Sequence, residues 1–251
     1  MSSHRIEIFG ITGLGEIEAG TDLARLALNA SVSVGGLQDG DILVVTSKIV
    51  SKAEGRSVEL ATVEPSLFAL TWAQEWKKSP RVIELVLRES RRIVRQVGPV
   101  LITETHHGFV CANSGVDQSS SGAAGRALLL PLDPDASARH IREGLRQQGL
   151  DVAVIISDTF GRPWREGQTD VAIGIAGIQP ITSYVGQQDP HGHKFRVQAL
   201  CIVDELAGAA ELVKGNTSRV PIAIIRGFDW VCDEKATIQD IIRPSGKDLF
   251  K

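Results

Sequence analysis

Cysteine, long apolar runs and an excess of charge of either sign are all scarce in this 251-residue chain. The three cysteines, Cys111, Cys201 and Cys232, are too widely spaced for a disulfide scaffold or a CxxC metal site. No apolar run approaches the roughly 18 residues of a membrane-spanning helix, and residues 1–10 carry no signal-peptide-like stretch. The 27 basic and 30 acidic side chains give a net charge of −3, unlike a basic nucleic-acid-binding domain. We therefore expect a soluble, cytoplasmic protein that binds neither nucleic acid nor membranes.

Several common motifs of nucleotide binding and catalysis are also missing. Residues 11–20 (ITGLGEIEAG) are rich in glycine, but they match neither the GxxxxGK[ST] of a P-loop nor the GxGxxG of a dinucleotide-binding fold. The chain contains no GxSxG nucleophile elbow and no HExxH zinc motif. Catalytic chemistry must therefore come from residues that lie apart in the sequence.

Apolar β-branched runs alternate with helix-like segments along the chain. The runs predict buried strands within residues 41–52, 151–159 and 220–227. Apolar spacing and terminal signals predict helices within residues 81–95, 131–149 and 204–215. In the second of these, Asp135 or Ser137 is expected to cap the first turn and Gly149 to end the helix. This rhythm favours a mixed α/β (α+β) architecture.

The domain organisation is less sharply marked. We expect a single domain over residues 1–251, which could comprise two closely associated subdomains. Residues 119–125 form a Gly/Ser cluster, the best candidate for an internal boundary or a mobile lid.

Polar residues follow the apolar run that begins at residue 151. The strand is expected to end at Asp158 and Thr159, with Gly161 in a tight turn before Arg162. Ligands of open α/β sheets bind beyond the carboxyl ends of strands. A carboxylate beside a hydroxyl offers the hard oxygen ligands that suit Mg²⁺ or Mn²⁺. The alternative is that Asp158 only caps a turn or a helix.

A second polar cluster follows a short strand predicted at residues 110–112. It contains Asn113, Gly115, Asp117 and the serines of residues 119–121. Small residues let backbone N–H groups approach phosphates, and Asp117 is placed to share a metal ion with Asp158. A simple surface turn is the alternative.

A third cluster, TSKIVSK, contains two lysines and two serines four residues apart. Lys48 and Lys52 share one face of the segment whether it is helical or extended, and Ser47 and Ser51 repeat the same spacing. Such a face suits the phosphates of a nucleotide, although an ordinary solvated edge has the same composition.

The histidines carry weaker signals. His106 and His107 are adjacent, so in a strand they would point to opposite faces. His191 and His193 share a face in an extended segment and offer either a metal pair or a surface loop without a third ligand nearby.

Together, these clusters resemble the coenzyme F-420-0:L-glutamate ligase family, also called the F-420-0:γ-glutamyl ligase family. The resemblance covers residues 10–227, but residues 56–96 and the tail after residue 230 carry no clear match. Its matching stretches occur in the family's order: GITGLGEIEAGTDLA, DGDILVVTSKIVSKAEGR, ANSGVDQSS, LLLPLDPDASA, ISDTFGRPWREGQTDVAIGIAGI, DELAGAAELVKG and VPIAIIRG.

The resemblance implies a GTP-dependent ligase of coenzyme F-420 biosynthesis. Such enzymes phosphorylate the terminal carboxylate of F-420-0, join L-glutamate to the acyl phosphate, and release GDP and phosphate. A further glutamate is added through the γ-carboxylate. The family requires Mn²⁺ or Mg²⁺, with two sites expected, and is associated with K⁺. It also implies an intertwined homodimer with the nucleotide near the subunit interface, and 251 residues leave no room for the nitroreductase-like domain of some relatives.

The same resemblance assigns roles to individual residues. It implies that Asp117, Asp158 and Lys52 are catalytic, with Asp117 and Asp158 on one metal and Thr159 on the other. Asn216 stands where some members supply an acid to the second metal, so either its carbonyl binds or Glu205 or Glu211 substitutes. The implied nucleotide-binding residues are Leu14, Gly15, Glu16, Ile17, Ser47, Lys48, Lys52, Ser120, Lys214, Gly215, Asn216 and Thr217.

Two other functions use the same residues. A metal-dependent nucleotide phosphohydrolase would turn over GTP without glutamate or F-420-0. A nucleotide-binding regulatory protein would keep the site without any turnover.

Overall fold

The computed structural model describes residues 5–118, 124–215 and 217–248. In these residues the α-helices are α1 (Leu23–Ser31), α2 (Ser47–Ala53), α3 (Leu67–Trp76), α4 (Pro80–Arg88), α5 (Pro134–Arg146) and α6 (Ile202–Lys214). The strands are β1 (Glu7–Ile11), β2 (Ile42–Thr46), β3 (Ser57–Glu59), β4 (Ser90–Val97), β5 (Val100–Thr105), β6 (Val110–Ala112), β7 (Arg126–Leu128), β8 (Ala153–Arg162), β9 (Arg165–Ala176), β10 (Ile181–Ser183), β11 (Ala199–Cys201) and β12 (Ile222–Arg226). The predicted mixed α+β class is confirmed.

The core is built around a five-stranded sheet of order β1-β12-β2-β8-β9. Strands β2 and β8 are parallel, and the other neighbours are antiparallel. Ile42, Leu43 and Val44 are fully buried although successive side chains point to opposite faces, so both faces of the sheet are covered. Helices α5 and α6 both pack on this sheet, and α1 packs on α5.

Strand β8 is longer than its apolar run predicts. The predicted strand end at Asp158 is wrong, because β8 continues to Arg162 and forms a hairpin with β9. The pairing with β2, however, stops at Ser157. Beyond that point β8 is paired on one side only and loses its apolar cover, so the sequence turns polar while the strand continues. Asp158 therefore caps neither a turn nor a helix.

The helix predicted over residues 81–95 is also too long. Helix α4 ends at Arg88, and Ser90–Val97 forms β4, an edge strand paired with β5. Ile93 and Val94 continue the helical spacing, but they are β-branched and favour a strand once a partner is present. Pairing across the following hairpin therefore overrides the local pattern.

Helix α5 begins at a different cap from those predicted. The N-cap is Asp133, whose Oδ1 accepts from the Ala136 N–H at 2.9 Å, so the assignments to Asp135 and Ser137 are wrong. Asp135 is instead buried inside the first turn. Its carboxylate accepts from the backbone N–H of Ile175 at 2.8 Å and of Ile238 at 3.0 Å, and so joins α5 to β9 and the C-terminal segment.

Two smaller apolar clusters lie outside the main core, within residues 58–129. One includes Trp72, Val86 and Leu101, and the other includes Leu85 and Leu129. They involve α3, α4, the three-stranded sheet β4-β5-β6 and the pair β3-β7. The single-domain assignment, with or without subdomains, stays a prediction. Most of the predicted Gly/Ser loop, residues 119–123, lies outside the described residues.

Within the described ranges, no helix combines the length and the apolar character needed to cross a bilayer.

Replacing Asp135 tests its role as an internal tie. Asp135→Ala would leave two buried N–H groups without an acceptor, and we expect the free energy of unfolding to fall by about 2–4 kcal/mol. Urea denaturation measures the change. The matched control is Asp133→Ala, which removes only a helix cap and should cost about 1 kcal/mol. A loss at Asp135 no larger than that at Asp133 would contradict the assignment.

Candidate active site

The candidate site lies where the parallel strands β2 and β8 cease to pair. Thr46 is the partner of Ser157, so the next residues of the two segments, Ser47 and Asp158, are brought together. Ser47 opens helix α2, is 2% exposed, and donates its hydroxyl hydrogen to Asp158 Oδ1 at 2.7 Å. This is the edge of the sheet at which α/β proteins bind ligands.

A cavity of about 580 Å³ opens at this edge. Its volume is within the range typical of small-molecule sites. Three segments that are separate in the sequence supply its polar lining, which includes Ser47, Lys48, Asn113, Asp117, Asp158 and Thr159. The structure thus gathers the three polar clusters of the sequence around one space.

Asp117 is held in place through its backbone. Its N–H donates to the Leu128 carbonyl at 2.9 Å, and the Leu128 N–H donates back at 2.7 Å. The carboxylate of Asp117 lies 3.0 Å from the Lys48 ammonium on α2. Lys48 also acts electrostatically on Asp158, so one lysine influences both carboxylates.

A left-handed turn precedes Asp117 and fixes its direction. Asn113, Ser114 and Gly115 have φ values of 53°, 51° and 68°, a conformation unfavourable for residues with a Cβ. The buried Ser114 compensates: its N–H donates to Thr103 Oγ1 at 2.9 Å, and its hydroxyl is 2.7 Å from that of Ser90. At Gly115 a Cβ would lie 2.8 Å from the Leu130 side chain, so only glycine fits there.

The positive charge and hydrogen-bond donors near the Asp158 carboxylate do not fully offset the cost of removing it from water. The pKa of Asp158 is raised to about 6, chiefly by burial and in smaller part by the nearby Asp170 carboxylate. The Ser47 hydroxyl, the Thr159 N–H and the Lys48 ammonium oppose this shift. A cation in the cavity would relieve the remaining cost of the buried charge.

The donors present suit a hard divalent cation. Asp117, Asp158 and Thr159 all line this cavity, and their side chains carry two carboxylates and one hydroxyl, which are ligands that Mg²⁺ and Mn²⁺ accept. The described residues contain no cluster of three or more Asp, Glu, His or Cys side chains arranged for a metal. The fit therefore rests on these two carboxylates and the hydroxyl.

Asp170 is a site residue that the sequence does not single out. It is 3% exposed and faces Thr159 across the β8–β9 hairpin. The Thr159 hydroxyl donates to Asp170 Oδ1 at 2.7 Å, and the Lys214 ammonium donates to Oδ2 at 2.6 Å. The signal for Asp170 is its pairing in the β8–β9 hairpin, and the sequence hides this pairing because the apolar run stops before Asp158 while the strand continues.

Of the two conformations considered for the TSKIVSK segment, the helical one is observed. Helix α2 carries Lys48 and Lys52 on one face. Lys52 Nζ lies 3.5 Å from Glu16 Oε2 and joins α2 to residues 14–17, the glycine-rich turn. Leu14 and Ile17 pack against the core, while Gly15 and Glu16 remain exposed. This turn lies beside α2 and outside the cavity lining defined above.

The resemblance implies that Lys214, the last residue of α6, contacts the nucleotide, but its side chain lies inside the protein rather than at the surface. Lys214 is 1% exposed, and Gly215 follows it as the C-cap. Glu211 Oε2 lies 3.7 Å from Lys214 Nζ, and burial, together with Asp170, raises the pKa of Glu211. Glu205 is in the first turn of α6, nine residues before Lys214 and thus about 13 Å away along the helix. Glu211 therefore lies beside the Asp170–Lys214 ion pair.

Some of the residues assigned by resemblance cannot be placed. Ser120 and Asn216 lie outside the described residues, and Thr217 is exposed just after the second gap. The pair His191 and His193 lies in an exposed loop, where both backbone N–H groups donate to Asp189 Oδ1. Asp189 thus orders the loop through the histidine backbones.

Comparison with known proteins shows the family to which the chain belongs. The family model "F420-0:Gamma-glutamyl ligase" matches residues 12–227, most of the chain. The chain belongs to this family. The resemblance drawn from the motifs is thereby confirmed, and the match includes the three segments that line the cavity.

Curated relatives extend the similarity to nearly the whole length. A protein named coenzyme F420:L-glutamate ligase from Methanothermobacter thermautotrophicus is 42% identical over 98% of this chain and 99% of its own. Its namesake from Methanopyrus kandleri is 42% identical over 94% of both chains. A third, from Methanocaldococcus jannaschii, is 39% identical over 86% of both.

The raised pKa of Asp158 predicts a pH-dependent cost to the metal-free protein. The unfolded chain releases this proton near pH 4 and the folded chain near pH 6, so stability falls as the pH rises through that window. Asp158→Asn removes this dependence. We expect its gain in the free energy of unfolding over the wild type to be larger at about pH 7 than at about pH 4. Urea denaturation in EDTA measures it, and a pH-independent difference would contradict the assignment.

Proposed function

We propose that this chain forms an amide bond between L-glutamate and the terminal carboxylate of F-420-0, with conversion of GTP to GDP and phosphate. The observation that carries the proposal is the convergence of Asp117, Asp158, Thr159 and Lys48 on one cavity. The family match and the name shared by the relatives supply the substrates.

The reaction needs two steps, because an amine cannot displace oxide from a free carboxylate. In the first, a carboxylate oxygen of F-420-0 takes the γ-phosphoryl group of GTP; an acyl phosphate forms and GDP leaves. In the second, the glutamate amine attacks the acyl carbon, the C–N bond forms, phosphate leaves, and the amine loses a proton. A further glutamate would enter through the γ-carboxylate of the first.

The residues at the cavity supply charge neutralisation and positioning, which phosphoryl transfer chiefly requires. Lys48 is 43% exposed, within reach of both Asp117 and the cavity, and neutralises phosphate charge there. Lys52 lies one turn further along α2 beside the glycine-rich turn, where it holds the nucleotide. Ser47 fixes the orientation of the Asp158 carboxylate by its hydrogen bond.

Divalent cations complete the proposal. Asp117 and Asp158 would hold one Mn²⁺ or Mg²⁺, and Thr159 would bind a second together with Asn216 or Glu211. When bound, these cations neutralise the phosphate oxygens and stabilise the charge of the transferring group. A K⁺ site, a homodimer with the nucleotide near its interface, and a cytoplasmic location belong to the same proposal.

A single coupled assay tests the function. The purified chain is incubated with F-420-0, L-glutamate, GTP and Mn²⁺, and products are identified by mass. We expect a gain of one or more glutamyl units that requires GTP. GDP release without glutamylated product would favour a phosphohydrolase, and nucleotide binding without turnover would favour a regulatory protein.

Asp158→Ala removes the half-buried carboxylate of the site. We expect ligation and Mn²⁺ binding to be lost while the protein stays folded, because the charge itself opposes stability above pH 6. Mass-detected ligation and thermal denaturation measure the two effects. Asp189→Ala, in an exposed loop, is the matched control, and near-normal turnover of Asp158→Ala would exclude the metal role.

Lys52→Ala tests the phosphate role of α2. We expect the KM for GTP to rise about tenfold or more through loss of a charge-assisted contact, with little change in the Mn²⁺ requirement. Steady-state kinetics at varied GTP and varied Mn²⁺ separate the two. The exposed Lys235→Ala is the control; equal losses in both parameters, or none, would remove Lys52 from this role.

A further inference from the structure

A buried ion pair, Asp170 with Lys214, lies behind the cavity and takes no part in the reaction as proposed. We infer that Asp170 is a positioning residue for the Thr159 hydroxyl, and that Lys214 holds Asp170 in place. The inference rests on the proposed function, in which Thr159 binds a metal ion.

The contacts of Asp170 show that it acts through other residues. Oδ1 accepts from the Thr159 hydroxyl at 2.7 Å, whereas Oδ2 accepts from Ser157 at 2.9 Å and from Lys214 at 2.6 Å. The Asp170 side chain is 2% exposed, and Asp170 is not among the residues that line the cavity. Both oxygens are thus engaged inside the protein, and neither reaches a ligand in the cavity.

The hydrogen bond to Asp170 decides what Thr159 offers to the cavity. A hydroxyl has one hydrogen and two lone pairs. Since the hydrogen of Thr159 is given to Asp170, only lone pairs remain for the space that Thr159 lines. A hydroxyl fixed in this way is an acceptor, as a cation requires, whereas an unanchored hydroxyl would rotate between donor and acceptor orientations.

Lys214 supplies the opposite charge and the rigidity. Its ammonium donates to Asp170 at 2.6 Å and to the Ser157 hydroxyl at 2.7 Å, and it is 1% exposed. It neutralises a carboxylate that would otherwise stand unpaired beside Asp158. Lys214 is also the last residue of α6, so the pair ties the site to the point where the following segment begins.

The chain offers a matched pair for comparison. Asp41 and Arg226 form an ion pair at 2.6 Å, with the Asp41 side chain 1% exposed, on the same five-stranded sheet. Asp41 immediately precedes β2 and Ser47 immediately follows it, so this pair lies at the opposite end of the strand from the cavity. The Arg226 side chain is 21% exposed, so this pair is less buried than Asp170 with Lys214, but a general effect of deleting an ion pair on this sheet would appear at both places.

Two double variants separate the acceptor role from the charge. Asp170→Asn with Lys214→Met removes both charges but leaves an amide oxygen to accept from Thr159, while the amide N–H₂ faces Ser157. Asp170→Leu with Lys214→Met removes both charges and the acceptor with similar side-chain volumes, and apolar replacement of a buried pair is often tolerated. Asp41→Asn with Arg226→Met is the control.

The readout is Mn²⁺ binding to the metal-free, full-length protein, measured as loss of the free-ion electron paramagnetic resonance signal. We expect the Leu/Met variant to bind Mn²⁺ about 10- to 100-fold more weakly than the wild type. The Asn/Met variant and the Asp41/Arg226 control should stay close to the wild type. The Mn²⁺ concentration that half-activates ligation should move in the same order.

Two results would overturn the inference. One is a folded Leu/Met variant with wild-type Mn²⁺ affinity; the other is an Asn/Met variant as weak as Leu/Met, which would make the charge pair responsible. If Leu/Met does not fold, Asp170→Ala with Lys214→Met is a smaller non-accepting variant that decides the same question. A wild type that binds no Mn²⁺ would overturn the proposed metal centre as well, whereas a wild type that binds and ligates isolates the failure to Asp170.

Discussion

The parallel pairing of β2 with β8 is the constraint on which the site depends. Parallel strands end at the same edge of a sheet, so Ser47 and Asp158 meet although 111 residues separate them. A shift of one residue in this register would turn Asp158 to the other face of the sheet, so the register decides where its carboxylate points. The core therefore determines which polar atoms reach the cavity.

The site combines features that each oppose stability. The half-buried carboxylate of Asp158 lies near the buried carboxylate of Asp170, and the turn that leads to Asp117 has a left-handed backbone. Each is held by compensating contacts: Lys48 and Ser47 for Asp158, Lys214 for Asp170, and the hydroxyls around Ser114 for the turn. Such features persist where the surrounding structure fixes them, and they cluster at functional sites.

Local patterns predicted much of this molecule. The apolar runs marked β2, β8 and β12, and Gly215 marked the end of α6, because burial and helix termination leave short-range signals. The polar clusters around Lys48, Asp117 and Asp158 were identified because residues that follow strands collect at one edge of a sheet. The helix over residues 81–95 and the cap at Asp135 were predicted wrongly, since helical spacing does not report the contacts that decide them: the hairpin pairing with β5 for the first, and β9 with the C-terminal segment for the second.

By itself, the sequence determined the family, the α+β class and the chemical types of side chain that line the cavity. Only the tertiary structure decided that β8 extends past Asp158 and that Asp170 faces Thr159. It also decided that Lys214 is buried and forms an ion pair with Asp170, which lies 44 residues earlier in the sequence. The physical reason is that periodicity reports which face of a segment is covered, whereas the identity of its partner depends on strand pairing and packing between distant parts of the chain.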